Sequence, residues 1–347
     1  MNRPLPFVLL LVGCTATLPP KETGETTTQN SSTQTTQTTQ TTASTIDGEP
    51  VGTRVRFVSW NVEGVGRDGS EELDALKDIL RRIDADVVGL NEIDEGETQR
   101  LRSVAEELGY TTVYVPDSNP FGELRNGVLS RLPVQSTTAW KSATLSSDTR
   151  ANDMTRWPLE VVVEVDGLPV RFVIQHFKSG FDAADTFRRA VEGARIGQIA
   201  DHNPDAPLVV IGGDFNAETD ESNSPLEWTF TPSGLPSSYA LGADLASGLG
   251  DGLVNSNFED LYRLGFEAVE ALQPDGRDAT RDVSGRRLDY LWVSPSIASR
   301  CATQAEVYDA RDDASSSLPF AGDAPSREAT AQASDHFPII ADIWIHE

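Results

Sequence analysis

The sequence predicts an α+β sandwich in which two mixed β-sheets stack and helices cover their outer faces. Three observations lead there. Apolar, β-branched runs of five to nine residues recur from about residue 53 onward. Some follow one another directly, as hairpins do. Others are separated by segments of helical period, and sheets assembled from both kinds of step are mixed and need covering layers.

RVRFVSW (54–60) alternates and carries β-branched and aromatic residues, so it reads as a strand. EELDALKDILRRI (71–83) follows as a helix, with Leu73, Leu76, Leu80 and Ile83 on one face. Its acids open the helix and Arg81 and Arg82 close it, as the helix dipole prefers. DVVGL (86–90) is a short buried strand, and RLRSVAEELGY (100–110) a second helix that Gly109 can end. Strands are expected at 111–115 and 126–132. PLEVVVEV (158–165) and PVRFVIQHF (169–177) join through Asp166-Gly167, a hairpin turn. A third helix is expected over roughly 184–200. LVVIGGDF (208–215), RLDYLWVS (287–294) and FPIIADIWI (337–345) complete the strands. Stretches 219–285 and 301–333 read as long and irregular. No second folded domain is expected within 51–347.

The N-terminus reads as an address. MNRPLPFVLLLVG has one early arginine and an apolar run far short of the ~20 residues a spanning helix needs. Leu11-Val12-Gly13-Cys14 resembles the bacterial lipobox. That resemblance implies a signal peptide over 1–13, cleavage before Cys14 and lipidation of its thiol. An ordinary secretory signal is the alternative. Residues 14–50 then form a Thr/Gln-rich linker too polar to offset its ordering entropy. The expected location is extracytoplasmic, on the outer membrane or cell surface of a bacterium, with the lipid as the only membrane contact. The second cysteine, Cys301, reads as structural.

The net charge is −26, from 28 basic and 54 acidic side chains. Such a surface argues against tight, non-specific hold on a polyanion by counterion release. It leaves open a local basic cleft.

Short motifs place polar residues where apolar strands end. SWNVEG puts Asn61 after the first strand, and GLNEID puts Glu92 after the second. QHFKSG supplies His176, GGDFNAE supplies Asp214 and Asn216, and SDHFPI supplies Asp335 and His336. Asp289 stands just inside RLDYLWV. Phosphoester hydrolysis needs oxygen ligands for a hard cation, a carboxylate to orient or deprotonate water, and donors for the phosphate oxygens. Asn61, Glu92 and Asp335 suit the cation, Asp214 the water, Asn216 and His176 the phosphate. Asp289 suits the imidazole of His336, favouring its cationic form. Each motif alone also fits a turn or a cap; the force lies in their common order.

In that order the motifs, with NGVLSRLP and LDYLWVS, resemble the endonuclease/exonuclease/phosphatase superfamily over about residues 54–347. The resemblance implies a four-layer α/β sandwich of deoxyribonuclease I type, with the active site at one end of the sheets. It implies Mg²⁺, with Mn²⁺ or Ca²⁺ as alternatives, near Asn61, Glu92 and Asp335. It implies catalytic roles for His176, Asp214, Asn216, Asp289 and His336. Arg156, in TRWPLEV, stands where a phosphate-contacting residue that varies across the family falls.

The expected substrate is a phosphodiester: DNA, RNA or a small ester, with the protein a monomer. Phosphomonoesters, phospholipids and inositol phosphates are alternatives within the fold. A catalytically silent binding module is the alternative outside enzymology. Trp228, Phe230, Tyr239, Phe258 and Tyr262 pack the 219–285 loop or form a base-stacking wall. Asp309, Asp312, Asp313 and Asp323 are a solvated acidic face or a Ca²⁺ site.

Overall fold

The computed structural model describes residues 45–46, 49–219, 227–249, 253–254 and 257–346. The leader, Cys14 and most of the Thr/Gln stretch lie outside the described residues. A two-residue ladder pairs Thr45–Ile46 with Glu49–Pro50, so strand pairing begins inside the stretch read as linker.

In chain order the main strands are β1 (Thr53–Asn61), β2 (Val87–Ile93), β3 (Thr112–Tyr114), β4 (Arg125–Ser130), β5 (Val134–Ala139) and β6 (Leu159–Val165). They continue as β7 (Leu168–His176), β8 (Leu208–Asp214), β9 (Glu267–Ala268), β10 (Asp289–Val293), β11 (Thr303–Val307) and β12 (Ile339–Ile345). The long helices are α1 (Ser70–Ile83), α2 (Thr98–Glu107) and α3 (Ala183–Asp201).

One six-stranded sheet runs β11-β12-β1-β2-β4-β3 and the other β9-β10-β8-β7-β6-β5. Each has a single parallel pair, β1/β2 in the first and β7/β8 in the second. α1 makes the first crossover and α3 the second; all other pairings are antiparallel. Each sheet is thus a strand–helix–strand unit extended by hairpins, the mixture the sequence predicts.

Phe57, Val87, Leu159, Phe172, Ile174, Val210 and Leu291 lie fully or almost fully buried between the sheets. The Phe57 and Phe172 rings meet at 5.0 Å between centroids. A second cluster joins Leu76, Ile79, Leu80 and Ile83 of α1 to Val58, Trp60, Val88 and Leu90 on the outer face of the first sheet. A third joins Ile196 and Ile199 of α3 to Val209, Ile211 and Trp292 on the second. The layers are therefore helix, sheet, sheet, helix.

Two expectations about irregular stretches do not hold. Stretch 219–285 includes the helix Glu259–Arg263 and strand β9, and stretch 301–333 includes β11 and the helix Ala329–Ala333. β11 (TQAEV) and the unforeseen β5 (VQSTTA) are rich in polar residues because both sit at sheet edges, where one face and one backbone edge meet solvent. Hydrophobic alternation is weak in such strands. Trp228 packs on Phe187 at 5.2 Å, and Phe258 stacks on Trp292 at 5.3 Å. Tyr239 lies 6.2 Å from Phe121, and Tyr262 stands edge-on to Trp292. Those rings pack the loop down; Phe230 alone of the five touches no other ring among the described residues and is exposed.

The acidic group at 309–323 divides: Asp323 is exposed and Asp312 half-buried, whereas Asp309 and Asp313 are engaged by the protein itself. Asp309 is buried and accepts from Thr330 and Arg311. Asp313 takes the Arg82 guanidinium through two bonds of 2.9 Å, plus the Tyr308 hydroxyl. Arg311 takes Asp309 from within the segment, and Arg82 takes Asp313 from α1. Cys301 is buried and free. Among the described residues no helix is long and apolar enough to cross a membrane.

Candidate active site

Strand direction brings the motifs to one edge. β1 and β2 run parallel, so Asn61 and Asn91 are register partners at their C-terminal ends. β7 and β8 run parallel, so His176 pairs with Asp214 at theirs; β10 runs antiparallel, so its first residue, Asp289, faces Asp214 from the other side. One rung of the second sheet thus holds His176, Asp214 and Asp289. β12 is antiparallel to β1, which places Asp335 and His336, just before its start, beside Asn61.

Two glycines allow this closeness. A Cβ on Gly213 would collide with the Gln175 carbonyl oxygen, and its φ of +146° disfavours any side chain. A Cβ on Gly212 would press on Leu291 of the neighbouring strand and on Phe57 and Ser59 of the facing sheet.

Asp214 is the hub. It is buried, and its Oδ2 accepts from Asn61 Nδ2 at 3.1 Å and Asn216 Nδ2 at 3.1 Å. Its Oδ1 accepts from the Asn216 backbone N–H at 2.7 Å. Burial, then the neighbouring Asp289 charge, raises its carboxyl to about 7, against the lowering influence of His336 and the amide donors. A carboxylate at that point can accept a proton near neutral pH.

His336 is a cation held in place. Burial lowers its basicity, but the Asp289 charge and hydrogen bond overcome that and raise it to about 10. Nδ1 sits 2.7 Å from Asp289 Oδ2, which also accepts from the Thr280 hydroxyl at 2.8 Å. The backbone is fixed too: Trp60 Nε1 donates to the His336 carbonyl, and the His336 N–H donates to Ser334 Oγ. Nε2 is left to face Asp335 Oδ1 at 3.6 Å and Asp214 Oδ2 at 3.9 Å.

His176 is the opposite. Burial, then the positive neighbours Arg156, His336 and Lys178, lowers its pKa well below the ordinary value, so the ring is neutral. Neither of its ring nitrogens has a hydrogen-bond partner, and Nε2 lies 3.5 Å from Asp214 and 3.6 Å from Glu92. Arg156 reaches the same place. Its Nη1 donates to the Phe177 carbonyl at 3.3 Å, the carbonyl that also accepts from Asn216 Nδ2. Burial pulls the guanidinium down while Glu92, Glu192 and Asp214 hold it charged.

The structure therefore gathers Asn61, Glu92, Arg156, His176, Asp214, Asn216, Asp289, Asp335 and His336 at one sheet edge; Cys14 lies outside the described residues. It also adds residues that sequence reasoning missed. Glu63, two positions past Asn61, accepts the Asp335 N–H at 3.1 Å. Burial raises its carboxyl, and the charges of Asp335 and Glu92 add to that. Asn91 donates to Asn126 and to the Gln175 carbonyl and accepts the Asp214 N–H at 3.0 Å, tying the sheets together. Glu192, on α3, accepts from the backbone N–H groups of Thr155 at 2.6 Å and Lys178 at 2.7 Å. It fixes the loops that carry Arg156 and follow His176. Arg281 clasps Asp335 Oδ2 at 2.6 and 2.8 Å. Glu63 and Asn91 had a signal, standing inside the SWNVEG and GLNEID motifs.

Two groupings are candidates for a cation. Ligand atoms of Asp214, Asp289 and His336 lie within 4.8 Å of one another. That set fits poorly, because Nδ1 is engaged by Asp289 and a protonated imidazole is no ligand. Glu63, Glu92 and Asp335, with the Asn61 amide, fit better. They are oxygen donors linked by contacts, with Asn61 Nδ2 donating to Glu92 at 3.3 Å and the Asp335 N–H to Glu63 at 3.1 Å. Oxygen donors suit a hard divalent ion.

The Endonuclease/Exonuclease/phosphatase family matches residues 58–336. The chain belongs to that family. As a member it is a phosphoester hydrolase. Solved structures of the family's fold are similar throughout. TDP2 of D. rerio, complexed with a single strand DNA product, is 16% identical with a TM-score of 0.52, covering 84% of this chain and 99% of that one. The 3′ phosphatase NExo of Neisseria, bound to a product DNA hairpin, is 17% identical with a TM-score of 0.53, over 83% and 98%. The human Nocturnin catalytic domain, with a bound sulfate, is 14% identical with a TM-score of 0.52, over 84% and 93%. At such identities the likeness shows the fold. No curated protein sequence matches the chain.

Proposed function

We propose that the chain is a divalent-metal-dependent phosphodiesterase of nuclease type, working outside the cytoplasm from a lipid anchor on Cys14. The observation that carries the chemistry is a division of charge across the site. Glu63, Glu92 and Asp335 concentrate negative charge, while the His336 imidazolium, held by Asp289, directs Nε2 at both Asp335 and Asp214.

Mg²⁺ is the expected ion, held by Glu63, Glu92, Asp335 and the Asn61 amide, where it would neutralise charge on the phosphate. The residues do the rest. Asp214 orients the attacking water and takes its proton on Oδ2. The Asn216 amide, Arg156 and His176 donate to the non-bridging oxygens. His176 can do so without rearrangement because its nitrogens are uncommitted. The His336 imidazolium presents Nε2–H to the oxygen on which charge develops.

A nucleic-acid substrate is supported by the basic groups around an otherwise acidic protein: Arg156, Arg281 and Arg286 all approach the site. It is supported also by fold neighbours that bind DNA products. The NExo neighbour is a 3′ phosphatase, so a terminal phosphomonoester is the second reading. The location rests on residues 1–14 alone, and metabolic labelling of wild type and Cys14→Ser with a fatty acid tests it.

The deciding experiment is a substrate panel with the purified chain: plasmid DNA, RNA, a 3′-phosphorylated oligonucleotide, bis-p-nitrophenyl phosphate and inositol phosphates. Cleavage of the diesters in Mg²⁺, lost in Asp214→Ala and His336→Ala folded proteins, is expected. No cleavage of any ester in Mg²⁺, Mn²⁺ or Ca²⁺ would leave a silent binding module.

A further inference from the structure

Phe181 is 85% exposed, among the four large exposed hydrophobics of the described residues. Apolar exposure of that size costs solvation free energy, and the loop that displays it is firmly built. Arg189 donates to the carbonyls of Lys178 and Gly180. Glu192 accepts the Lys178 N–H, and Lys178 Nζ pairs with Asp185 at 3.0 Å. Asp182, the next residue, caps α3 through the Asp185 N–H. The ring is held outward rather than left loose.

Its position relative to the site follows from contacts. The loop begins at His176. The Arg286 guanidinium lies over the Phe181 ring, 5.8 Å from its centroid, and also pairs with Glu218, two residues past Asn216. Arg286 is bonded across a tight turn to Arg281, which clasps Asp335. At the tip of that turn Val283 is 80% exposed. The turn is itself tied down, by the Asp282 N–H to the Asp335 carbonyl and by Asp282 with Arg311 at 2.9 Å. Two of the four exposed hydrophobics thus stand beside the phosphate site on braced segments, with arginines between them.

Resting on the phosphodiesterase reading, we propose that Phe181, with Arg286 and Val283, is a base-stacking subsite that selects esters carrying an unpaired nucleobase beside the scissile phosphate. A π-face meets an aromatic ring at one side, and the guanidinium supplies charge for the adjoining phosphate. A duplex keeps its bases stacked on one another, so single strands, frayed ends and nucleotide esters are the fitting class. Inositol and sugar phosphates lack the ring.

The test compares two diesters with one leaving group, the p-nitrophenyl ester of thymidine 5′-phosphate and methyl p-nitrophenyl phosphate, on the full chain in Mg²⁺. Wild type prefers the nucleoside ester. In Phe181→Ala the ratio of the two kcat/KM values falls about tenfold, the size of one base–aromatic stack. Phe181→Trp restores it. A ratio unmoved by Phe181→Ala overturns the subsite, whether both rates fall together or neither does. Loss of binding to phosphatidylcholine–phosphatidylglycerol vesicles at an unmoved ratio assigns the ring to a membrane surface instead. Binding is read separately: oligothymidylate in EDTA quenches the added Phe181→Trp fluorescence. Absence of quenching overturns the subsite even where neither ester is cleaved, an outcome that otherwise counts against the phosphodiesterase reading alone.

Discussion

Replacing Asp289 by Asn removes one charge from the pair that makes His336 cationic, while keeping its shape. Nδ1 and Oδ2 are 2.7 Å apart and both side chains are buried, so little solvent screens them. With the imidazole at about 10, about 99% of it is protonated at pH 8; at an unperturbed value of about 6.5, about 3% would be. In the variant burial still opposes the charge while the Asp214 and Asp335 carboxylates still favour it, so the unperturbed value is the fitting reference. The expected loss of kcat/KM at pH 8 is therefore about 30-fold from protonation alone. At pH 5.5 most of the variant's ring is charged again, and the loss shrinks to whatever misorientation costs. The assay is kcat/KM against pH, with thermal melting at each point to correct for unfolding. Stability follows the same sign. A histidine raised in the folded state adds stability that is full below about 6.5 and fades as pH climbs through about 10. The variant should lose that slope. An equal loss of rate at pH 5.5 and pH 8 would refute the electrostatic role and leave Asp289 as a positioning group.

Three other outcomes follow from the site. Glu192→Gln turns one acceptor into a donor facing a backbone N–H, so it should cost about 2 kcal/mol in chemical denaturation and lower kcat/KM by displacing the Arg156 and Lys178 loops; wild-type stability would refute the bracing role. Gly213→Ala should destabilise by more than about 2 kcal/mol, because strained φ and a clash with the Gln175 carbonyl act together; a soluble variant with an unchanged melting point would show the backbone can shift. Glu63→Gln should stabilise the metal-free protein, since its carboxyl is raised by burial and by Asp335 and Glu92, and should reduce the rise in Tm on adding Mg²⁺. An undiminished rise would exclude Glu63 from the cation site.

The parts of this fold that sequence makes visible are those in which one residue type serves one demand. β1, β2, β7, β8 and β12 are buried on both faces, so they read as apolar runs, and the polar residue that ends each run stands out. β5 and β11 answer to solvent at a sheet edge and resemble loops in composition. Glu192 was hidden for a related reason. An acid in a helix normally marks the solvent face, and nothing local tells that its partners are backbone groups of residues 155 and 178. Asn91 and Thr280 likewise act through register and tertiary contact, which only strand pairing reveals.

Backbone conformation links the visible and hidden parts. Six described non-glycine residues have positive φ, and Glu63, Glu92 and Asn216 are three of them. Each follows the end of a strand or a bulge; the β2–β4 ladder shifts register between Leu90 and Ile93, around Glu92. A residue in the left-handed region breaks the alternation that would send its side chain to the next face of the sheet. Here that break sets the Asn216 amide on Asp214, Glu92 against Asn61 and His176, and Glu63 against Asp335. The conformation costs free energy at each position, and glycine would relieve it. The proposed phosphate chemistry would use the side chains that stand there instead. The same strand ends therefore need glycine at 212, where the facing sheet presses in, and at 213, where the neighbouring strand does, and tolerate strain a few residues away, where a side chain turns inward.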